Sequence, residues 1–155
     1  MTDISVSEQP EQTTAVIREV VPLTGMTAFF GRAFSTVASV VAAEGAQITG
    51  PAFARYYGMP TDVVDVEAGF PIAGAITASG DVHVGHLPSG RIYEAIHVGP
   101  YDTLVQTYEA VGNRISADGG VPADEMWEYY LSDPEDEPDP AKWQTRVCWP
   151  VSSSG

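Results

Sequence analysis

The chain has 155 residues, enough for a domain with a buried core, and 44% of them are apolar, as in an ordinary globular protein. Seven basic residues against 21 acidic ones leave a net charge of −14, which repels phosphate backbones and anionic lipids and argues against nucleic acid or membrane as a direct partner. The lone cysteine, Cys148, rules out an internal disulfide. No uninterrupted apolar run of about 18 residues is read, and the polar, acidic start lacks the order of a secretory signal, so the expected location is the cytoplasm.

Residues 1–12 are expected to form a flexible tail. Thr13 to Val21 is β-branched and reads as a strand that Pro22 stops. Met26, Phe30, Ala33, Phe34, Val37, Val40 and Val41 recur at three- and four-residue steps, the stripe of an amphipathic helix, and Gly45 ends it. Pro51 to Tyr57 and Val63 to Ile72 are strands, the latter alternating Val64, Val66 and Ala68 with Asp65 and Glu67. After a joint of small residues, Gly74 to Gly80, the strands Val82 to Leu87 and Arg91 to Val98 flank Pro88-Ser89-Gly90 and read as a hairpin. A second helix carries Leu104, Tyr108, Val111 and Ile115, with Asp102 as its cap and Gly119 at its end. A strand from Glu125 to Leu131, an acidic loop from Asp133 to Pro140, a strand from Trp143 to Val151 and a flexible end at 152–155 complete the chain.

The two halves resemble each other. Ala43-Glu44-Gly45 and Ala117-Asp118-Gly119 end the helices, Arg55-Tyr56-Tyr57 and Glu128-Tyr129-Tyr130 lie in the strands that follow, and Phe70-Pro71-Ile72 and Trp149-Pro150-Val151 close the halves. Each half reads strand–helix–strand–strand. The expected fold is therefore α+β: one domain over 13–151 built from modules 13–73 and 81–151, forming an antiparallel sheet with two helices and a central ligand cleft.

The chemistry concentrates on Glu125-Met126-Trp127-Glu128-Tyr129-Tyr130. Strand alternation puts Met126, Glu128 and Tyr130 on one face, where a carboxylate among aromatics suits a cationic, amphipathic ligand. Phe53, Arg55 and Tyr57 share a face of the first-half strand and form the opposite wall, and Trp149 completes the candidate ligand-binding set. The bland reading is that these aromatics are core and that Arg55, at the position matching Glu128, pairs with it. Glu128 and Tyr130 are the catalytic candidates if the site hydrolyses its ligand. The spacing of His83, His86 and His97 does not build a zinc site, no other metal or cofactor is indicated, and Cys148 reads as buried and inert.

Four segments together carry a family resemblance. They are Gly50-Pro51-Ala52-Phe53-Ala54-Arg55-Tyr56-Tyr57-Gly58, Gly99-Pro100-Tyr101, Trp127 through Pro134, and Trp143 through Trp149-Pro150-Val151. From about Thr13 to Val151 the chain resembles the gyrase-inhibitor-like (GyrI-like) family, also known as the bacterial transcription-activator effector-binding domain. The resemblance implies two modules around a ligand cleft and amphipathic, often cationic, drug-like ligands, with a carboxylate at the position of Glu128. It also implies that some stand-alone members sequester toxins, antagonise gyrase or hydrolyse cyclopropane-type genotoxins. The chain length leaves no room for the helix-turn-helix region that family members often carry, so a stand-alone member is expected. A protein partner, such as a topoisomerase, is the third reading after binding and hydrolysis.

Overall fold

The computed structural model describes residues 4–58, 61–77, 80–100, 103–132 and 137–151. In chain order the strands are β1 (Ile4–Gln9), β2 (Gln12–Pro22), β3 (Gln47–Ile48), β4 (Phe53–Tyr57), β5 (Val63–Ala73), β6 (His83–Leu87), β7 (Gly90–Val98), β8 (Glu125–Tyr130) and β9 (Gln144–Pro150). The helices are α1 (Met26–Ala43) and α2 (Leu104–Ala117). Within each compact unit the described strand pairings are antiparallel, and with two helices the fold is α+β as expected.

The chain divides into two compact units: Pro10–Ser89, and the residues before Pro10 together with those from Gly90 onward. In the first the strand order is β4-β5-β2-β6, with β3 added to β5; in the second it is β8-β9-β7-β1. The expected strand–helix–strand–strand unit is thus present twice, each time with an extra strand beside its first strand. That extra strand follows the module in one unit and precedes it in the other.

Two expectations are corrected here. Residues 4–9 are not a tail but β1, paired along β7 from Ile4↔Ala95 to Gln9↔Gly90. Its side chains are mostly exposed, and the short Ile-Ser-Val-Ser-Glu-Gln run carries only two apolar residues to mark it as a strand. The β6–β7 hairpin is also absent. β6 pairs with β2, and both edges of β7 are taken, by β1 and β9. The expected cap Asp102, the loop residues 133–136 and the end at 152–155 lie outside the described residues.

In the Pro10–Ser89 unit, α1 packs on β5 and β2 and buries Phe29, Ala33, Val37 and Val41, a single line at four-residue steps. Phe30 is half-buried instead. It stacks on Phe34, which meets Phe70 of β5 edge-on. The segment Leu23–Ala43 is 21 residues long with a mean hydropathy of 1.3, long and apolar enough by composition to cross a bilayer, contrary to the reading of the uninterrupted run. Its buried line packs on the sheet, and the side facing away carries Thr27, Gly31, Arg32, Ser35, Thr36 and Ser39.

In the other unit α2 packs on β7 and β9 and buries Leu104, Thr107, Val111 and Ile115. Val111 and Ile115 join Tyr93 and Ala95 in one apolar cluster, with Ile4, Trp149 and Val151 against it.

Both helices end in the same way. Gly45 and Gly119 have φ of +76° and +87°. Ala46 N–H then bonds Val41 O at 3.1 Å, and Gly120 N–H bonds Ile115 O at 3.0 Å, each reaching back five residues to satisfy a terminal carbonyl. Only a residue without Cβ takes this left-handed turn at no cost, so the matched Glu-Gly and Asp-Gly pairs are two copies of one stop signal.

Candidate functional site

β8 runs beside β9, with Glu128 opposite Val147 and Tyr130 opposite Thr145. Val147 and Thr145 in turn lie opposite Ala95 and His97 of β7. Ala95 belongs to the cluster under α2, so this row of residues, Glu128 included, faces the helix. Met126 is half-buried on the same face, and Trp127 and Tyr129 point the other way.

Glu128 is 2% exposed. Removing a carboxylate from water is costly unless its oxygens are met by donors. Here Tyr130 donates its phenol to Oε1 at 2.7 Å, and Tyr108 of α2 donates to Oε2. Both oxygens are therefore held in fixed directions, by the strand that carries the carboxylate and by the helix above it. Beside them, Thr145 Oγ1 is fully buried and has no hydrogen-bond partner among the described residues. Tyr108 was legible in the sequence only as part of the apolar stripe of α2. Its burial is partial, and its hydroxyl is the feature that matters.

Trp149 belongs to the packing under α2. Its indole N–H donates to Ala123 O at 2.9 Å, and its ring lies against Gly112, where a Cβ would sit 3.5 Å from the ring edge. Cys148, opposite Trp127, is buried, and burial pushes its thiol far above the usual range. On the same side, desolvation raises the Tyr129 phenol to about 12.

The other candidates assemble in the Pro10–Ser89 unit. Phe53, Arg55 and Tyr57 alternate along β4 opposite Gly69 and Glu67 of β5, on the side away from α1. Their neighbour Ala54 pairs with Ala68, which shares the helix side with Phe70. The Arg-Tyr-Tyr and Glu-Tyr-Tyr triplets are consequently not equivalent in space. Arg55 lies on the sheet face turned away from its own helix, whereas Glu128 lies on the face beneath its own.

Arg55 donates to His86 O at 2.8 Å and stands 3.9 Å from Glu67 Oε1. Tyr57 donates to Glu67 Oε2 at 3.0 Å, and the Arg18 guanidinium lies 3.7 Å above its ring while making a two-bond pair with Asp65. The Arg18 hydrogen bond lowers the Asp65 carboxyl from its ordinary value, and burial next to Glu67 raises the Tyr57 phenol far above the usual range. Phe53 is fully buried. Glu67, which alternates with Val66 and Ala68 along β5, is 4% exposed. No group of three His, Cys, Asp or Glu side chains among the described residues is arranged to hold a metal ion.

A duplicated antiparallel α+β fold with a tyrosine-held carboxylate beneath a helix has the form of a small-molecule binding domain. The comparisons with known proteins agree with this class. The family described as the GyrI-like small molecule binding domain matches residues 2–152, and the chain belongs to that family. No curated protein sequence matches it.

Among solved structures, the EcmrR C-terminal domain is 21% identical with a TM-score of 0.84, and 98% of each chain is covered. The EcmrR chain in its DNA complex is 22% identical with a TM-score of 0.85; the alignment covers 97% of the present chain but only 57% of that longer one. SAV2435 bound to tetraphenylphosphonium is 14% identical with a TM-score of 0.65, covering 97% of this chain and 94% of the other. At these identities the likeness is one of fold.

Proposed function

We propose that this domain binds an organic cation with aromatic or other apolar substituents, and that Glu128 supplies the complementary charge. The observation that carries the reading is a carboxylate, 2% exposed, whose two oxygens are aimed by the phenols of Tyr130 and Tyr108. In such a low-dielectric setting a cation brought next to the carboxylate gains far more than it would in water. The half-buried Met126 offers an adaptable apolar contact on the same face, and the phenol rings present π faces. The Thr145 hydroxyl is available to a polar atom of the ligand. The fold shared with a protein captured with tetraphenylphosphonium supports a ligand of this kind, and the net charge of −14 favours the approach of cations over anions. On this reading the remaining candidates, Phe53, Arg55, Tyr57 and Trp149, act by packing within their own units.

The test is a melting series with tetraphenylphosphonium. A ligand selective for the folded state raises the melting temperature by mass action, by an amount that grows with its concentration. The association rate in stopped flow should also fall as salt is raised while dissociation changes little, because the acidic surface steers the encounter. A melting temperature unmoved at millimolar tetraphenylphosphonium would overturn the proposal. A salt-independent association rate with binding intact would remove only the steering.

A further inference from the structure

We infer that His97 is a positioning residue for this site, setting the place of Tyr108 and through it the orientation of the Glu128 carboxylate; the inference rests on the binding reading above. His97 is 8% exposed, on β7 next to the row that carries Glu128. Its ring ties three parts of the unit together. Nδ1 is 2.8 Å from Thr107 Oγ1 on α2, and Nε2 is 3.0 Å from Pro100 O and 3.0 Å from Thr103 Oγ1, ahead of the helix.

The proton positions follow from the acceptors. A carbonyl can only accept, so Nε2–H donates toward Pro100 O, while Nδ1 pairs with the Thr107 hydroxyl. Thr103 is the residue where a side chain would ordinarily cap the helix, yet it makes no cap bond. Its hydroxyl instead donates to the same Pro100 O at 3.0 Å. The helix start has therefore given up its own cap and is anchored to β7 through the imidazole.

Tyr108 directly follows Thr107, the residue that His97 holds. The Tyr108 phenol must reach Glu128 Oε2, and a helix displaced or rotated by an ångström would break that bond. Thr107 is 3% exposed, and packing alone could bury a valine there equally well. The hydroxyl and the imidazole are the groups that define how far α2 slides along the sheet.

The experiment uses the full chain with its tyrosines carbon-13 labelled at the phenolic carbon, first without ligand and then with tetraphenylphosphonium. His97→Phe keeps a ring and removes both nitrogens. The expected result is a shifted Tyr108 resonance, a smaller change at Tyr130, and about tenfold weaker binding of tetraphenylphosphonium, with neutral triphenylphosphine oxide unchanged. His97→Asn, whose amide can still meet Thr107, should restore most of the affinity. In a Tyr108→Phe background, His97→Phe should cost nothing further, since the path it acts through is already cut. Thr107→Val reports the same link if His97→Phe fails to fold. An unchanged Tyr108 resonance, or losses that add fully in the double variant, would overturn the inference. The ligand-free spectra decide it even if tetraphenylphosphonium does not bind, so its failure and that of the binding reading are told apart.

Discussion

Gly69→Ala should destabilise the protein by about 3 kcal/mol, at the upper end of what overpacking costs. Gly69 lies in β5 between Phe53 of β4 and Val16 of β2. A Cβ there would stand 1.9 Å from Ala15 O and 2.9 Å from Val16 Cα. Both are backbone atoms in the middle of a paired strand, so no side-chain rotation relieves the clash. Either the β2–β5 ladder opens or the strands separate under α1, and each loses core contacts. Urea unfolding would show the midpoint falling sharply. A change below about 1 kcal/mol would mean that the two strands do not approach as closely as described. Gly31, exposed on α1 with nothing near its missing Cβ, is the control, and Gly31→Ala should be neutral or slightly stabilising.

The second large effect is expected at Glu67. Its side chain is 6% exposed and that of Arg55 11%, and the pair is joined by the Tyr57 phenol on the other carboxylate oxygen. Glu67→Gln keeps the volume and an acceptor for Tyr57 but removes the charge facing a buried guanidinium. Removing one member of a buried pair costs about 3 kcal/mol, much more than the same change at a surface pair. Asp65→Asn in the exposed pair with Arg18 provides the comparison, with a loss of about 0.5 kcal/mol, since the side chains there are 33% and 44% exposed. Equal losses at the two sites, in thermal or urea unfolding, would contradict the buried role of Glu67.

Much of this architecture was legible in the residues themselves. The two helices, their stop signals and the β-branched strands β2, β5 and β9 declare themselves by period and by glycine placement. β1 was not legible, because an edge strand of Ile-Ser-Val-Ser-Glu-Gln satisfies its backbone along β7 while leaving most of its side chains in water. The β6–β7 turn looked like a hairpin because a turn signal between two strands says nothing about which edges are already occupied.

Alternation correctly grouped Met126, Glu128 and Tyr130. It could not mark Glu67 as buried, since period two assigns a face but not whether that face is wet. The likeness of Arg-Tyr-Tyr to Glu-Tyr-Tyr aligned letters on opposite faces of their sheets, and a slip of one residue is enough to do so. Tyr108, Thr107 and His97 escaped because their roles arise from contacts between residues distant in sequence, carried by hydroxyls and ring nitrogens that hydrophobic periodicity does not register.

The central claim is that Glu128 provides the charge that selects a cationic ligand. The most direct test is calorimetric titration of tetraphenylphosphonium into the wild-type protein and Glu128→Gln, with triphenylphosphine oxide as the neutral comparison. The amide keeps the size and still accepts from Tyr130, so the expected change is a loss of about 2 kcal/mol for the cation, roughly 30-fold in affinity, with the neutral compound nearly unaffected. Equal affinity of both proteins for tetraphenylphosphonium would contradict the account.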